Sequence, residues 1–199
     1  EDDLRREPQN YARMQTRSGS RIFAHGRDPN FDGWSDTLQL NYFNPALRRA
    51  MTEELASITR VADGVRCDMA MLLLPDVFSK TWSRAAASWP PYTDTSSFWR
   101  SSLASVEART SEFRVMAEAY WGREHDLQAQ GFDWTYDKDL YDRLKSGNVD
   151  GIRSHLQANL DYQNHSARFA ENHDEPRVGV AFGDARAAAA QVITYFSPG

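Results

Sequence analysis

Cysteine is the residue this chain has least of: 199 residues contain one, Cys67. A single cysteine excludes an intramolecular disulfide framework and a thiolate metal cluster. Long hydrophobic runs are also missing. No apolar stretch approaches the roughly 20 residues of a membrane-spanning helix. The opening Glu1-Asp2-Asp3-Leu4-Arg5-Arg6 has the pattern of neither a signal peptide nor a transit peptide. A basic stripe is absent as well, and the formal net charge is −5, so the electrostatic footprint of a nucleic-acid partner is not there. Internal repeats are lacking, and low complexity is confined to Ala187 to Ala190. Neither nucleic acid nor membrane is therefore expected as a partner.

Aromatic and apolar material is present in quantity, 41% hydrophobic and 12% aromatic with six Trp. That suffices for a sizeable core and reads as one globular domain over 1–199 with an exposed leading segment over 1–20. Flat rings in a mildly acidic chain suit a sugar-binding cleft, although most such rings pack in cores. The chain lacks an initiator methionine and ends Ser197-Pro198-Gly199 directly after an apolar run. Those ends lead us to expect a cut piece.

Along the chain, a short helix is expected near Asp2 to Arg6 and a strand within Ile22 to Gly26, followed by a turn-rich loop over Asp28 to Trp34. Asp36 to Tyr42 alternates like a strand. Asn44 and Pro45 supply a cap and first residue for a helix to about Val61, with Leu47, Met51, Leu55 and Ile58 as its core stripe. A helix over Pro75 to Ala87 places Val77, Phe78 and Trp82 inward and is broken by Trp89-Pro90-Pro91-Tyr92. Thr95 or Ser96 caps the next, to about Arg109. Phe113 to Glu118 reads as a strand. Helices follow from Gly122 to Gln130, from Asp137 to Lys145, and from Asn148 or Asp150 to about Asn164. Arg168 to Asn172 is a further strand, and Asp184 to Phe196 an alanine-rich helix. Strands alternating with helices indicate an α/β architecture with parallel strands.

The chemistry concentrates at strand ends. In Gly64-Val65-Arg66-Cys67-Asp68, alternation puts Arg66 and Asp68 on one face and Val65 and Cys67 on the other. An arginine beside an aspartate favours the ionised carboxylate, which suits a nucleophile and equally suits an ion pair fixing a strand end. Glu118 and the group Asn172-His173-Asp174 close the next polar strand ends. The intervals between these groups are each long enough for a strand-helix-strand crossover, which needs roughly 30 residues. Polar groups on successive parallel strand ends form the rim on which an eight-stranded barrel builds its site.

At these residues the chain resembles the alpha-amylase family of glycoside hydrolases. Gly64-Val65-Arg66-Cys67-Asp68 is similar to the family's Gly-Phe-Arg-x-Asp segment, Met116-Ala117-Glu118 to the segment carrying its general acid/base, and Phe169 to Asp174 to its Asn-His-Asp segment, all in family order. The resemblance implies a (β/α)8 TIM-barrel type of fold, here partial, with about four central to late strand-helix units. It implies Asp68 as nucleophile, Glu118 as acid/base and Asp174 as transition-state stabiliser, with Arg66 and His173 as substrate-side ligands. Trp34, Tyr120 and Trp121, near strand ends, are candidates for stacking on glucose rings. The apolar neighbours of Glu118 would suit an acid, since burial raises a carboxyl pKa.

The implied activity is cleavage of α-glucosidic bonds in an α-glucan or oligosaccharide by a retaining double displacement. Transfer or isomerisation by the same intermediate is one alternative. An inactive fragment, pairing with itself or with the missing part of the barrel, is another. No organic cofactor is implied. The family's Asp-x-x-x-Asn-His segment is absent, and Met71 and Leu72 stand where many amylases have Lys-His, so no calcium is expected. Glu171, His173 and Asp174 are of metal-ligating type, but His125, His155 and His165 fall on helix patterns without ligand spacing, and no metal is expected either.

Overall fold

The computed structural model describes residues 1–86 and 96–199. The expected helix breaker at Trp89 to Tyr92, the cap at Thr95 and the end of the third expected helix lie outside the described residues. The chain falls into two compact units, one of Glu1–Glu54 with Leu72–Phe98 and one of Leu55–Met71 with Trp99–Gly199.

The first unit opens with helix α1 (Asp2–Arg6), as expected, and then departs from the sequence reading. Tyr11–Thr16 forms strand β1, paired antiparallel with β2 (Gly19–Ala24) from Tyr11↔Ala24 to Thr16↔Gly19. Ala12 and Met14 alternate with Arg13 and Gln15, but over too few residues to announce a strand, and Met14 stays 42% exposed; the backbone ladder and a tight turn ending on Gly19, at φ +100°, hold β1 instead. The strand expected over Asp36 to Tyr42 is absent. Leu38 and Leu40 stay 45% and 42% exposed, and the segment meets β2 through one backbone rung, Gln39 N–H to the Ala24 carbonyl at 2.9 Å. An alternating sequence without a sheet face to cover does not become a strand. Helix α2 (Pro45–Ile58) begins at the predicted cap, where Asn44 Oδ1 accepts from Ala46 N–H at 2.9 Å. Helix α3 (Pro75–Ala86) turns Val77, Phe78 and Trp82 inward. Phe78 meets Phe43 edge-on at 4.9 Å, and the Arg27 guanidinium lies 5.0 Å from the Trp82 ring.

The second unit is built on a four-stranded parallel sheet in the order β3 (Gly64–Cys67), β4 (Arg114–Ala117), β5 (Trp134–Tyr136), β6 (Ser166–Ala167). Helix α4 (Phe98–Glu107) precedes β4, and α5 (Glu124–Gln128) precedes β5. Helices α6 (Lys138–Ser146), α7 (Val149–Leu156) and α8 (Leu160–Asn164) lead to β6, and α9 (Val178–Phe182) with α10 (Asp184–Phe196) follow it. Four parallel strands with helical crossovers are the expected partial α/β barrel, not a closed one.

Register sorts the residues by face, because partners across parallel strands share one. Cys67, Ala117, Thr135 and Ser166 lie on a single face and are all buried. Arg66, Met116, Trp134, Tyr136 and Ala167 lie on the other, where Trp134 remains 36% exposed. The site therefore belongs to the less covered face. One apolar core cluster is Leu140, Tyr141 and Leu144 of α6 with Phe182, Ala187 and Ala190, backed by Phe169 and Ile193.

The second unit departs from the sequence reading in four places. Trp134–Tyr136, between two expected helices, is a strand, too short to display a period. The single helix over 148–164 is two, because Asn159 caps a fresh start by accepting from Asp161 N–H at 2.7 Å. The strand placed at Arg168 to Asn172 sits at Ser166–Ala167. Beyond it the Asn172 side chain accepts from Asp174 and Glu175 N–H at 3.0 and 2.9 Å, a turn that competes with extension. Helix α9 was not foreseen.

A buried polar knot ties β5 to its surroundings. Asp137 caps α6 through Leu140 N–H at 3.1 Å, takes His155 Nε2 at 2.9 Å, and pairs with Arg168 Nε at 3.2 Å. Glu124 lies buried in the same region, its carboxyl within the field of Asp137, Asp139 and His155. Among the described residues no helix is long and apolar enough to cross a membrane.

At Gly64 the sheet leaves no room for a side chain, since a Cβ there would lie 2.6 Å from the Arg114 carbonyl oxygen of β4. Gly64→Ala must push the first two strands apart, and is expected to cost about 1–3 kcal/mol of stability. Urea unfolding checks this; an unchanged midpoint would show that the strand pair yields freely.

Candidate active site

Strands β3 and β4 deliver the central groups side by side. Cys67 pairs with Ala117, and the ladder runs on past them through Glu118 N–H to the Cys67 carbonyl at 3.0 Å and Ala70 N–H to the Glu118 carbonyl at 3.2 Å. Asp68 and Glu118 thus leave adjacent carboxyl ends. Arg66, two residues before Asp68 on the same face, stands between them.

Its guanidinium spends each nitrogen separately. Nη1 pairs with Asp68 Oδ1. Nη2 lies 2.7 Å from Glu118 Oε1, an ion pair by distance in which the N–H does not point along the hydrogen-bond direction. Nε donates to the Tyr136 hydroxyl at 3.1 Å, and the guanidinium carbon lies 5.4 Å from the Tyr136 ring centre. Burial works against the charge, yet Tyr136, Asp68 and Glu118 together hold the Arg66 pKa above its ordinary value.

The two carboxyl groups differ in setting. The Asp68 side chain is 78% exposed, whereas Glu118 is 3% exposed. The sequence led us to expect apolar surroundings for Glu118. Ala117 and Ala119 are buried beside it, but the carboxyl itself meets donors: Met69 N–H at 2.6 Å on Oε2 and the Tyr120 hydroxyl at 3.0 Å on Oε1, besides Arg66. Met69 presents that N–H from a left-handed backbone, φ 44°, and Trp121 likewise sits at φ 63° with 44% exposure. Two non-glycine residues in this strained region flank the carboxylates.

Asp174 and His173 stand on the loop after β6, exposed, with His173 Nε2 3.1 Å from Asp174 Oδ2. Among the described residues Asp174 makes no hydrogen bond or ion pair with Arg66, Asp68 or Glu118. It approaches through its field: the Tyr120 phenol is driven above its usual range by burial, then by Glu118, and then by Asp174 and Glu175. Glu175 is held below the usual carboxylate range against its burial by Lys138, Tyr141 and Lys145. Glu171 turns away to accept Val178 N–H at 2.6 Å and pair with Arg177 at 2.7 Å. Trp34 belongs to the first unit, where its backbone bridges Gly26. Tyr136 is the residue sequence reasoning missed; the aromatic and β-branched run Trp134-Thr135-Tyr136 was its signal. Cys67 faces the covered side, where burial pushes its thiol up to about 12, so it is inert.

A cleft of about 600 Å³, lined by Gln128, Phe132, Asp133, Tyr162 and His165, opens where β5 and β6 begin and is separate from this rim.

A parallel sheet that sets carboxylates and an arginine on adjacent carboxyl-terminal strand ends has the architecture of part of a (β/α)8 barrel. Comparison with known proteins narrows the class. The chain is 27% identical over 174 residues to Alpha-amylase MalA of Haloarcula japonica, covering 83% of this chain and 23% of that protein. The debranching enzyme of Nostoc punctiforme superposes with a TM-score of 0.63 at 17% identity, over 84% of this chain and 36% of its own. Cyclic alpha-maltosyl-(1→6)-maltose hydrolase of Arthrobacter globiformis gives 0.61 at 18%, over 86% and 38%. An alpha-amylase from Lactobacillus plantarum gives 0.54 at 23%, over 92% and 41%. No family model matches the chain. The resemblance to the alpha-amylase family is thus borne out in sequence and in fold, over a chain that spans less than half the length of each of these proteins.

Proposed function

We propose that this chain carries the nucleophile and acid/base of a retaining α-glycosidase acting on α-glucans or their oligosaccharides. The observation that carries the reading is Arg66, whose guanidinium joins Asp68 and Glu118 on neighbouring strand ends. In a retaining mechanism two carboxyl groups lie about 5–5.5 Å apart, one attacking and one exchanging a proton.

Asp68, open to solvent and paired with a permanent cation, attacks the anomeric carbon. The bond to the leaving oxygen breaks, and the Glu118 proton passes to that oxygen. Water then attacks the glucosyl–Asp68 ester, giving its proton to Glu118 and releasing Asp68. The two donors and the Arg66 charge around Glu118 match its ionised half of the cycle. In its protonated half the Tyr120 hydroxyl turns round to accept, since a phenol does both. Asp174 and His173 meet sugar hydroxyls from the loop after β6. Glucosyl transfer requires the same first step and differs in the acceptor that reaches the ester.

The test is 4-nitrophenyl α-glucoside and an α-maltooligosaccharide, with NMR observation of the first-formed anomer and a 5-fluoro-α-glucosyl fluoride to trap the ester. The expected result is an α-configured product and a glucosyl label on the peptide holding Asp68, absent in Asp68→Asn. A β-configured product, or a label elsewhere, would overturn the reading.

A further inference from the structure

We propose that Tyr136 is a positioning residue that sets the direction in which Arg66 presents its guanidinium, dividing Nη1 and Nη2 between Asp68 and Glu118. This rests on the function proposed for that pair. Arg66 has five N–H bonds in one rigid plane, and two carboxylates alone do not determine how that plane is turned. A guanidinium prefers to grip one carboxylate side-on through Nε and one Nη together, a bidentate pair. Were Nε free, Arg66 would be drawn into that grip on one partner and would leave the other. Tyr136 occupies Nε through its hydroxyl at 3.1 Å, and the guanidinium carbon lies over its ring, 5.4 Å from the ring centre. The hydroxyl takes Nε out of a side-on grip, and the ring's attraction for the cation holds the group beside it.

Tyr136 is itself held. Its strand is paired on both sides, through Met116↔Trp134 and Ala117↔Thr135 to β4 and through Tyr136↔Ala167 to β6. Its ring packs at 5.5 Å on Phe169, and Phe169 stacks at 5.3 Å on Tyr141, which is fully buried in the core. Arg66 is thereby referenced to the hydrophobic core and not only to the two carboxylates it serves.

The experiment compares the parent chain with Tyr136→Phe, which keeps the ring and its packing, and reads the Arg66 Nε–H resonance, assigned by its loss in Arg66→Lys. In Tyr136→Phe the resonance is expected to shift and its exchange with water to quicken at least tenfold. Cleavage of 4-nitrophenyl α-glucoside is expected to fall in kcat by about tenfold with KM little changed, as small misplacements of catalytic groups do. An Nε–H unchanged in position and exchange overturns the inference, as does a changed Nε–H with kcat intact. If the Nε–H responds but the parent cleaves no α-glucoside, the positioning of Arg66 stands and the glycosidase reading falls.

Discussion

Glu118→Gln is expected to slow hydrolysis of an α-maltooligosaccharide by about 10²- to 10⁴-fold, the range for losing a general acid/base. Gln can still accept from Met69 N–H or Tyr120, but it has no proton to give and its amide N–H bonds are turned away by Arg66, which lies 2.7 Å from Oε1 in the parent. The loss must depend on the leaving group. A sugar leaving group needs the proton; 4-nitrophenolate leaves without it, so formation of the Asp68 ester from 4-nitrophenyl α-glucoside is impaired far less. Breakdown of the ester then lacks its base, and the ester accumulates. Azide, which needs no base, is expected to restore turnover and to yield α-glucosyl azide. Equal losses for both substrates with no azide product would remove Glu118 from the role.

Glu124→Gln is expected to stabilise the protein in mild alkali, with an effect that grows with pH. Glu124 is 2% exposed, and its Oε1 has no hydrogen-bond partner among the described residues. Its carboxyl is pushed up to about 7, by burial first and then by Asp139 and Asp137, against the pull of its own backbone N–H and His155. The folded pKa lies above the unfolded one. This group's contribution is therefore complete below about 4.5 and is lost as pH rises through 7. At 1.36 kcal/mol per unit the loss reaches about 3 kcal/mol at pH 8. Gln does not ionise and escapes it. Urea unfolding of both proteins at pH 5, 6, 7 and 8 should give a difference that is small at pH 5 and widens toward about 3 kcal/mol at pH 8. A difference constant over that range would show that folding does not raise the Glu124 pKa. Asp137, Asp139 and His155 are common to both proteins, so the difference between them reads Glu124.

The readable parts of this molecule were those written between near neighbours. The Asn44-Pro45 start, the inward Val77, Phe78 and Trp82 of α3, and the span of α10 follow from caps and a period of 3.6 residues, which involve a few consecutive positions. The β3 stretch was legible for the same reason: alternation alone puts Arg66 beside Asp68 and turns Cys67 away. The misreadings share a cause too. Two-residue β6 and three-residue β5 are shorter than any pattern that would announce them. The hairpin β1–β2 is held by backbone pairing with little burial, and Asp36 to Tyr42 alternates without a sheet to join.

By itself the sequence determined the alternation of strands and helices, the candidate groups Asp68, Glu118 and Asp174 at polar strand ends, and the likeness to alpha-amylase-type enzymes, because each is carried by local order along the chain. Only the tertiary structure decided what surrounds them. The bond from Arg66 to Tyr136 spans 70 positions, and the one from Met69 to Glu118 spans 49. Such contacts exist because strand register brings separate segments to one rim, and register is a property of paired backbones that no single segment encodes.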